Sequence, residues 1–172
     1  LVDTHRYPIA LLHLSYCYFS KWESQKAIEP LHRYIEHPDI STVDRQEAMI
    51  RLLNSYVING DDEGVRRTSD KIKDSILWST LGSTKALYYE SLGHYFFLQG
   101  DLDEAFRNFN KAQECSTGLS EFTQLSIEKW SRFMDAVRFE DPEPLMQFKQ
   151  KLNPLLHSEL LRESDFLRLK VR

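Results

Sequence analysis

Few side chains in this sequence are spaced to do chemistry. The six histidines are scattered. His32 and His37 fall on different faces of a helix, so they do not form a joint metal site. Asp61-Asp62-Glu63 bunches carboxylates as a cation site would, but it lacks the further loop ligands of a calcium hand. Acids at a helix start are favoured by the helix dipole alone, and that suffices for this trio and for Glu140-Asp141-Glu143. There is no phosphate-cradling Gly-x-x-x-x-Gly-Lys-Ser/Thr loop, no Gly-x-Ser-x-Gly elbow and no His-Glu-x-x-His pair. Cys17 and Cys115 lie far apart and read as reduced, half-buried thiols. The expectation is a chain that is not an enzyme and takes no metal and no cofactor.

Charge and hydropathy narrow the partners. The net charge of −4 provides no basic field for phosphate backbones, and Arg66-Arg67 and the basic end are too short for a nucleic-acid surface. The longest apolar run is far short of the roughly 20 residues that span a bilayer. No signal peptide and no Asn-x-Ser/Thr acceptor is visible. A cytoplasmic address with no membrane and no direct nucleic-acid contact is therefore expected. The first residue is Leu1, which suggests a piece of a longer protein.

Helices must position everything else. Residues 8–20 carry almost no polar face, with Pro8 near the start, where a missing N–H is harmless. Ala27, Ile28, Leu31 and Ile35 recur at helical spacing until His37-Pro38. Ser41 or Thr42 can cap the next helix, which carries Met49, Leu52, Leu53 and Tyr56. In Asn59-Gly60-Asp61 the glycine suits a positive φ and Asp61 suits an N-cap. Val65, Ile72 and Ile76 mark a helix running to Trp78, and Leu81-Gly82-Ser83 reads as a break before a helix over 84–99. Asp101 caps the following helix, with Glu104 as a capping-box partner. Ser120 opens another, with Leu125, Trp130, Phe133, Met134 and Val137 inward, and Asp141-Pro142 opens one carrying Leu145, Phe148 and Leu152. Residues 156–167 can form a last helix. The alternation over 166–172 is read as its frayed end rather than a strand.

One stretch repeats in form. Tyr89-x-x-Leu92-Gly93-x-x-Phe96 is followed by Gly100-Asp101 and then by Ala105-x-x-x-Phe109-x-x-Ala112. Gly93 and Ala105 are small where two helices would cross closely, and Gly100 permits the turn between them. Weaker copies run Leu11-x-x-Leu14-Ser15-x-x-Tyr18, with Trp22 at the place of the turn glycine, then Met49-x-x-Leu52-Leu53-x-x-Tyr56 with Gly60. The last is Trp130-x-x-Phe133-Met134-x-x-Val137 with Asp141-Pro142 at the turn. This pattern resembles the tetratricopeptide repeat, with Tyr89 where that family often has tryptophan. The spacing from Gly60 to Gly100 exceeds the usual roughly 34 residues, which implies lengthened helices near residue 80.

The resemblance implies an all-α fold: a TPR-like right-handed superhelix of about four antiparallel helix pairs plus a C-terminal helix. It implies one domain over 1–172, with repeats near 8–38, 42–78, 84–117 and 119–155 and a terminal segment over 156–172. On the family register the concave groove is lined by Tyr16, Phe19, Asn54, Val57, Glu90, His94, Phe97, Asp135 and Arg138. That mixture suits a protein or peptide partner with apolar and polar anchors. His94 is expected to make one hydrogen bond and nothing else. Some family members clamp a chaperone's C-terminal carboxylate. Here Asn54 fits one clamp position, but Ile50, Leu87 and Ser91 stand where the others are needed, so the clamp is absent.

Three functions compete. The first is a non-catalytic binding scaffold, and its strongest hairpin is also similar to the helical arms of proteasome-lid and signalosome subunits. The second is a peptide-sensing domain of a bacterial transcriptional regulator whose DNA-binding part lies outside this chain. The third is an enzyme domain such as an all-α phosphatase accessory, which would need a polar cluster not visible here. The apolar helix over 8–20 calls for burial on every side, so self-association through it is expected.

Overall fold

The computed structural model describes residues 7–77, 79 and 81–156. They form eight helices and, among the described residues, no strand. These are α1 (Ile9–Ser20), α2 (Ser24–Glu36), α3 (Thr42–Asn59), α4 (Asp62–Leu77), α5 (Gly82–Leu98), α6 (Leu102–Cys115), α7 (Glu121–Phe139) and α8 (Glu143–Leu156). The fold is all-α. The chain divides into two compact units, Leu1–Thr80 and Leu81–Arg172. In each, a helix packs chiefly on the helices before and after it. Trp78, most of the last helix read over 156–167, and the alternating end over 166–172 lie outside the described residues.

The turns that close successive helix pairs are built alike. Trp22, Gly60, Gly100 and Glu140 take left-handed φ values of 62°, 68°, 79° and 52°. The next residue's N–H then donates to a carbonyl five positions back. These bonds run from Glu23 to Tyr18 (2.9 Å), Asp61 to Tyr56 (3.0 Å), Asp101 to Phe96 (2.9 Å) and Asp141 to Ala136 (3.1 Å). This is the Schellman closure, which pairs carbonyls that a helix end would otherwise orphan. The recurrence is about 40 residues, longer than the roughly 34 of the tetratricopeptide repeat. Trp22, standing where a turn glycine was expected, adopts the backbone that glycine would have supplied.

Helix starts follow short polar side chains. The Ser41 hydroxyl accepts from the Asp44 N–H (3.1 Å) and the Ser120 hydroxyl from the Thr123 N–H (3.3 Å). The Asp101 carboxylate accepts from the Glu104 N–H (3.0 Å). The reciprocal half of that capping box does not form: the Glu104 carboxylate pairs with Arg107 (3.0 Å), and the Asp101 N–H donates to Phe96. The expected break at 81–83 is also different, because α5 already begins at Gly82. A Cβ there would stand 2.8 Å from the Cys115 carbonyl oxygen, so Gly82 is a close-packing point rather than a breaker. Pro30 sits inside α2, where it has no N–H to give to the turn before it. The Arg45 guanidinium reaches back from α3 to the carbonyls of Ile35 and His37, closing the end of α2.

Each unit has its own core. In α1–α4, Ala27, Leu31, Leu53, Ile72 and Ile76 are fully buried. Gly64 lets α4 approach α3, since a Cβ would fall 2.5 Å from the Tyr56 ring. In α5–α8, Ala105, Phe109 and Met134 form the centre, with Phe96, Phe97, Phe106, Trp130 and Phe133 packed against it. A Cβ on Gly93 would fall 2.7 Å from the Phe109 ring, which is the close crossing that its small size predicted. Ala86, Ala112 and Ile127 make a second cluster, flanked by Tyr89, Cys115 and Leu119.

Candidate partner-binding faces

In the second unit, aromatic rings gather where α5, α6 and α7 meet. The Trp130 ring lies nearly parallel to Phe109, with centroids 5.8 Å apart and planes 11° apart. His94 meets both edge-on, at 4.4 Å from Trp130 and 5.1 Å from Phe109. Phe97 meets Phe133 edge-on at 5.5 Å. Such T-shaped contacts place a ring's positive edge on a neighbour's negative face. The first helices of two successive pairs, α5 and α7, thus touch through His94–Trp130 and Phe97–Phe133.

The His94 Nε2 is closed off from solvent and has no hydrogen-bond partner. Burial, assisted by the nearby Lys129 charge, pushes its pKa down to about 4, leaving the ring neutral. Lys129 is itself buried, with Nζ 4.7 Å from the Trp130 ring centroid. Burial lowers its pKa, and the Glu90 carboxylate works against that shift. Glu90, His94 and Lys129 therefore share one electrostatic environment, joining two predicted residues to one that the sequence reading missed.

The other groove residues of this unit separate. Asp135 lies 3.7 Å from Arg132 on its own helix. Arg138 turns toward the start of α6, 3.5 Å from Asp103 and 4.7 Å above the Phe106 ring. In the first unit Tyr16, Phe19 and Asn54 are half-buried. The Arg51 guanidinium lies 4.4 Å above the Tyr16 ring and is held by Glu47 at 2.6 Å. Burial raises the Tyr16 hydroxyl pKa, against the opposing pull of Arg51. Val57 is not on a groove wall: it is 3% exposed, because α3 packs against both α2 and α4 and is buried over a wide arc. A missed contact there joins His32 Nε2 to the Tyr56 hydroxyl at 2.8 Å. The spacing of Trp130 and Phe133 could have revealed the α7 contribution. Nothing in the local sequence around Lys129 marks its burial.

One residue of each acidic run serves as a cap. The Asp61 carboxylate accepts from the Gly64 N–H (2.9 Å), and the Asp141 carboxylate accepts from the Glu143 N–H (2.9 Å). Among the described residues no three of His, Cys, Asp and Glu gather as they would round a metal ion. Of the positions that a carboxylate clamp would need, Ile50 is buried, and the buried Ser91 hydroxyl donates to the Leu87 carbonyl at 2.9 Å. No described helix is long and apolar enough to cross a membrane. No family model, no curated protein and no solved structure matches the chain.

Proposed function

We propose that this chain is a non-catalytic, tetratricopeptide-like scaffold that holds a protein or peptide partner against the leading helices of its helix pairs. The observation that carries the reading is the pair of ring contacts between α5 and α7, His94–Trp130 and Phe97–Phe133. The recurring left-handed turns support it, since they give every pair the same closure. Half-buried Phe97 and Asp135 offer one apolar and one acidic anchor in the second unit, and Tyr16, Phe19 and Asn54 offer a comparable mixture in the first. The same reading places the protein in the cytoplasm and assigns it no cofactor.

The test is recovery of cellular partners by the wild-type chain and by a Phe97→Ala/Asp135→Lys double variant. Specific loss of one set of partners from the variant is the expected result. Identical recovery would sink the α5–α7 face as the recognition surface. Self-association through α1 belongs to the same proposal. That helix has no charged residue and exposes Ile9 and Leu14. Light scattering at high concentration is expected to show a species above monomer mass, and a clean monomer would remove the idea.

A further inference from the structure

The helix joins of the second unit place a set of uncovered apolar side chains at one end. Short turns make α5, α6, α7 and α8 run alternately up and down. The end of α5, the start of α6, the end of α7 and the start of α8 therefore lie together. The Arg138–Asp103 pair at 3.5 Å and the Arg138–Phe106 contact at 4.7 Å fix two of these termini against each other. Leu98 (64% exposed), Leu102 (41%), Phe139 (65%) and Met146 (54%) all sit at this end. They account for four of the large apolar side chains that the described residues leave open to solvent.

Charge says what would cover them. The start of α6 brings Asp101, Asp103 and Glu104, and the α7–α8 turn brings Glu140, Asp141 and Glu143. Over residues 98–107 and 138–147 the only basic side chains are Arg107 and Arg138, each already beside a carboxylate. Six acids against two bases leave this end at −4, which equals the formal charge of the whole chain. Capping accounts for Asp101 and Asp141, but not for exposed Glu140, nor for four apolar side chains beside the carboxylates. An anionic membrane surface would be repelled, and a second copy of this acidic end would meet like charge.

We infer that this end of the second unit docks a basic segment of another protein, one carrying Lys or Arg together with large apolar anchors. The apolar groups supply contact area at the centre and the carboxylates form a rim that selects for positive charge. This surface is distinct from the α5–α7 face proposed above.

The test uses the full chain and a labelled 18-residue amphipathic Leu/Lys peptide, followed by fluorescence anisotropy. Saturable 1:1 binding is expected, weakening at least tenfold between about 50 and 500 mM salt as rim charges are screened. A Leu/Glu peptide and a Ser/Lys peptide are each expected to bind at least tenfold more weakly. A Phe139→Ser/Met146→Ser variant and a Glu140→Gln/Glu143→Gln variant should each lose at least fivefold, whereas Leu14→Ser and Phe97→Ala should bind as wild type. All four of the mutated patch positions are exposed, and a thermal melt checks that each variant folds. Equal binding of the acidic peptide, undiminished binding by both double variants, or equal loss with Phe97→Ala would overturn the inference. So would a dimer that dissociates on Phe139→Ser/Met146→Ser, which would make a second copy the occupant.

Discussion

In the first unit His32 Nε2 lies 2.8 Å from the Tyr56 hydroxyl, while in the second unit His94 Nε2 faces no hydrogen-bonding group. The same residue type is thus satisfied in one half and stranded among rings in the other. The surroundings differ accordingly. The α1–α4 interior is mainly aliphatic, with Tyr34 and Tyr56 also buried in it, whereas the α5–α7 junction is built from His94, Phe97, Phe109, Trp130 and Phe133. A buried polar atom without a partner costs about 1–3 kcal/mol. The second unit keeps that penalty and offsets it with ring-on-ring contacts. The contrast shows that one turn geometry can support two unlike interiors.

The comparison breaks most easily at Phe109, the largest fully buried side chain among the described residues. Phe109→Ala removes the ring that holds Gly93, His94 and Trp130 together and is expected to cost about 3–5 kcal/mol. Urea unfolding followed at amides of each unit should show the loss in α5–α8 and leave α1–α4 little changed. A uniform loss in both halves would show that the two interiors are not independent.

The next effect is in pH. The folded pKa of His94 lies below its ordinary value of 6.5, at about 4. Above 6.5 both folded and unfolded chains keep the ring neutral, and its contribution is complete. As pH falls from 6.5 to about 4 the unfolded chain takes up a proton that the folded chain refuses, removing up to about 3 kcal/mol. Below that window the loss levels off. A His94→Leu variant should lack this component, so the wild-type minus variant stability should slope between pH 6.5 and 4. A flat difference would contradict a neutral, buried His94.

Smaller effects sharpen the comparison at matched positions. Gly93→Ala drives a methyl into the Phe109 ring and Gly64→Ala drives one into the Tyr56 ring, each for about 1–3 kcal/mol by thermal melting. Equal costs would show that both crossings are equally rigid. Last, Glu140→Gly and Trp22→Gly relieve left-handed backbone strain of about 1 kcal/mol each, partly offset by the extra freedom of glycine in the unfolded chain. Each should raise the melting temperature slightly. A fall at Trp22 alone would show that its side chain stabilises the turn in the first unit.

Much of the helical layout was legible because its punctuation is local. Gly60, Asp101 and Ser120 act through atoms within a few residues, so sequence alone locates them, and for the same reason it narrows the cap of α3 to Ser41 or Thr42. Gly93 was legible as well, since a small residue among large ones implies a close neighbour. Gly82 was misread because the reason for that glycine is the carbonyl of Cys115, 33 positions away in the chain. Val57 was misplaced because helix register says which face a residue shares, but not how many neighbours cover that face. Lys129 and the stranded His94 nitrogen depend on helices meeting in space, and no local pattern encodes them. Arg45 is similar: its reach to the end of α2 needs the turn between α2 and α3 to be formed first.

The repeated closure at Trp22, Gly60, Gly100 and Glu140 bears on how the chain reaches its native state. Each pair shuts through a hydrogen bond between residues five apart, and the main packing joins helices adjacent in the chain. Contact order is therefore low, little loop entropy is lost before contacts form, and folding in microseconds to milliseconds is the natural regime. A hairpin that completes its own turn can also begin to form while the chain that follows it is still being synthesised.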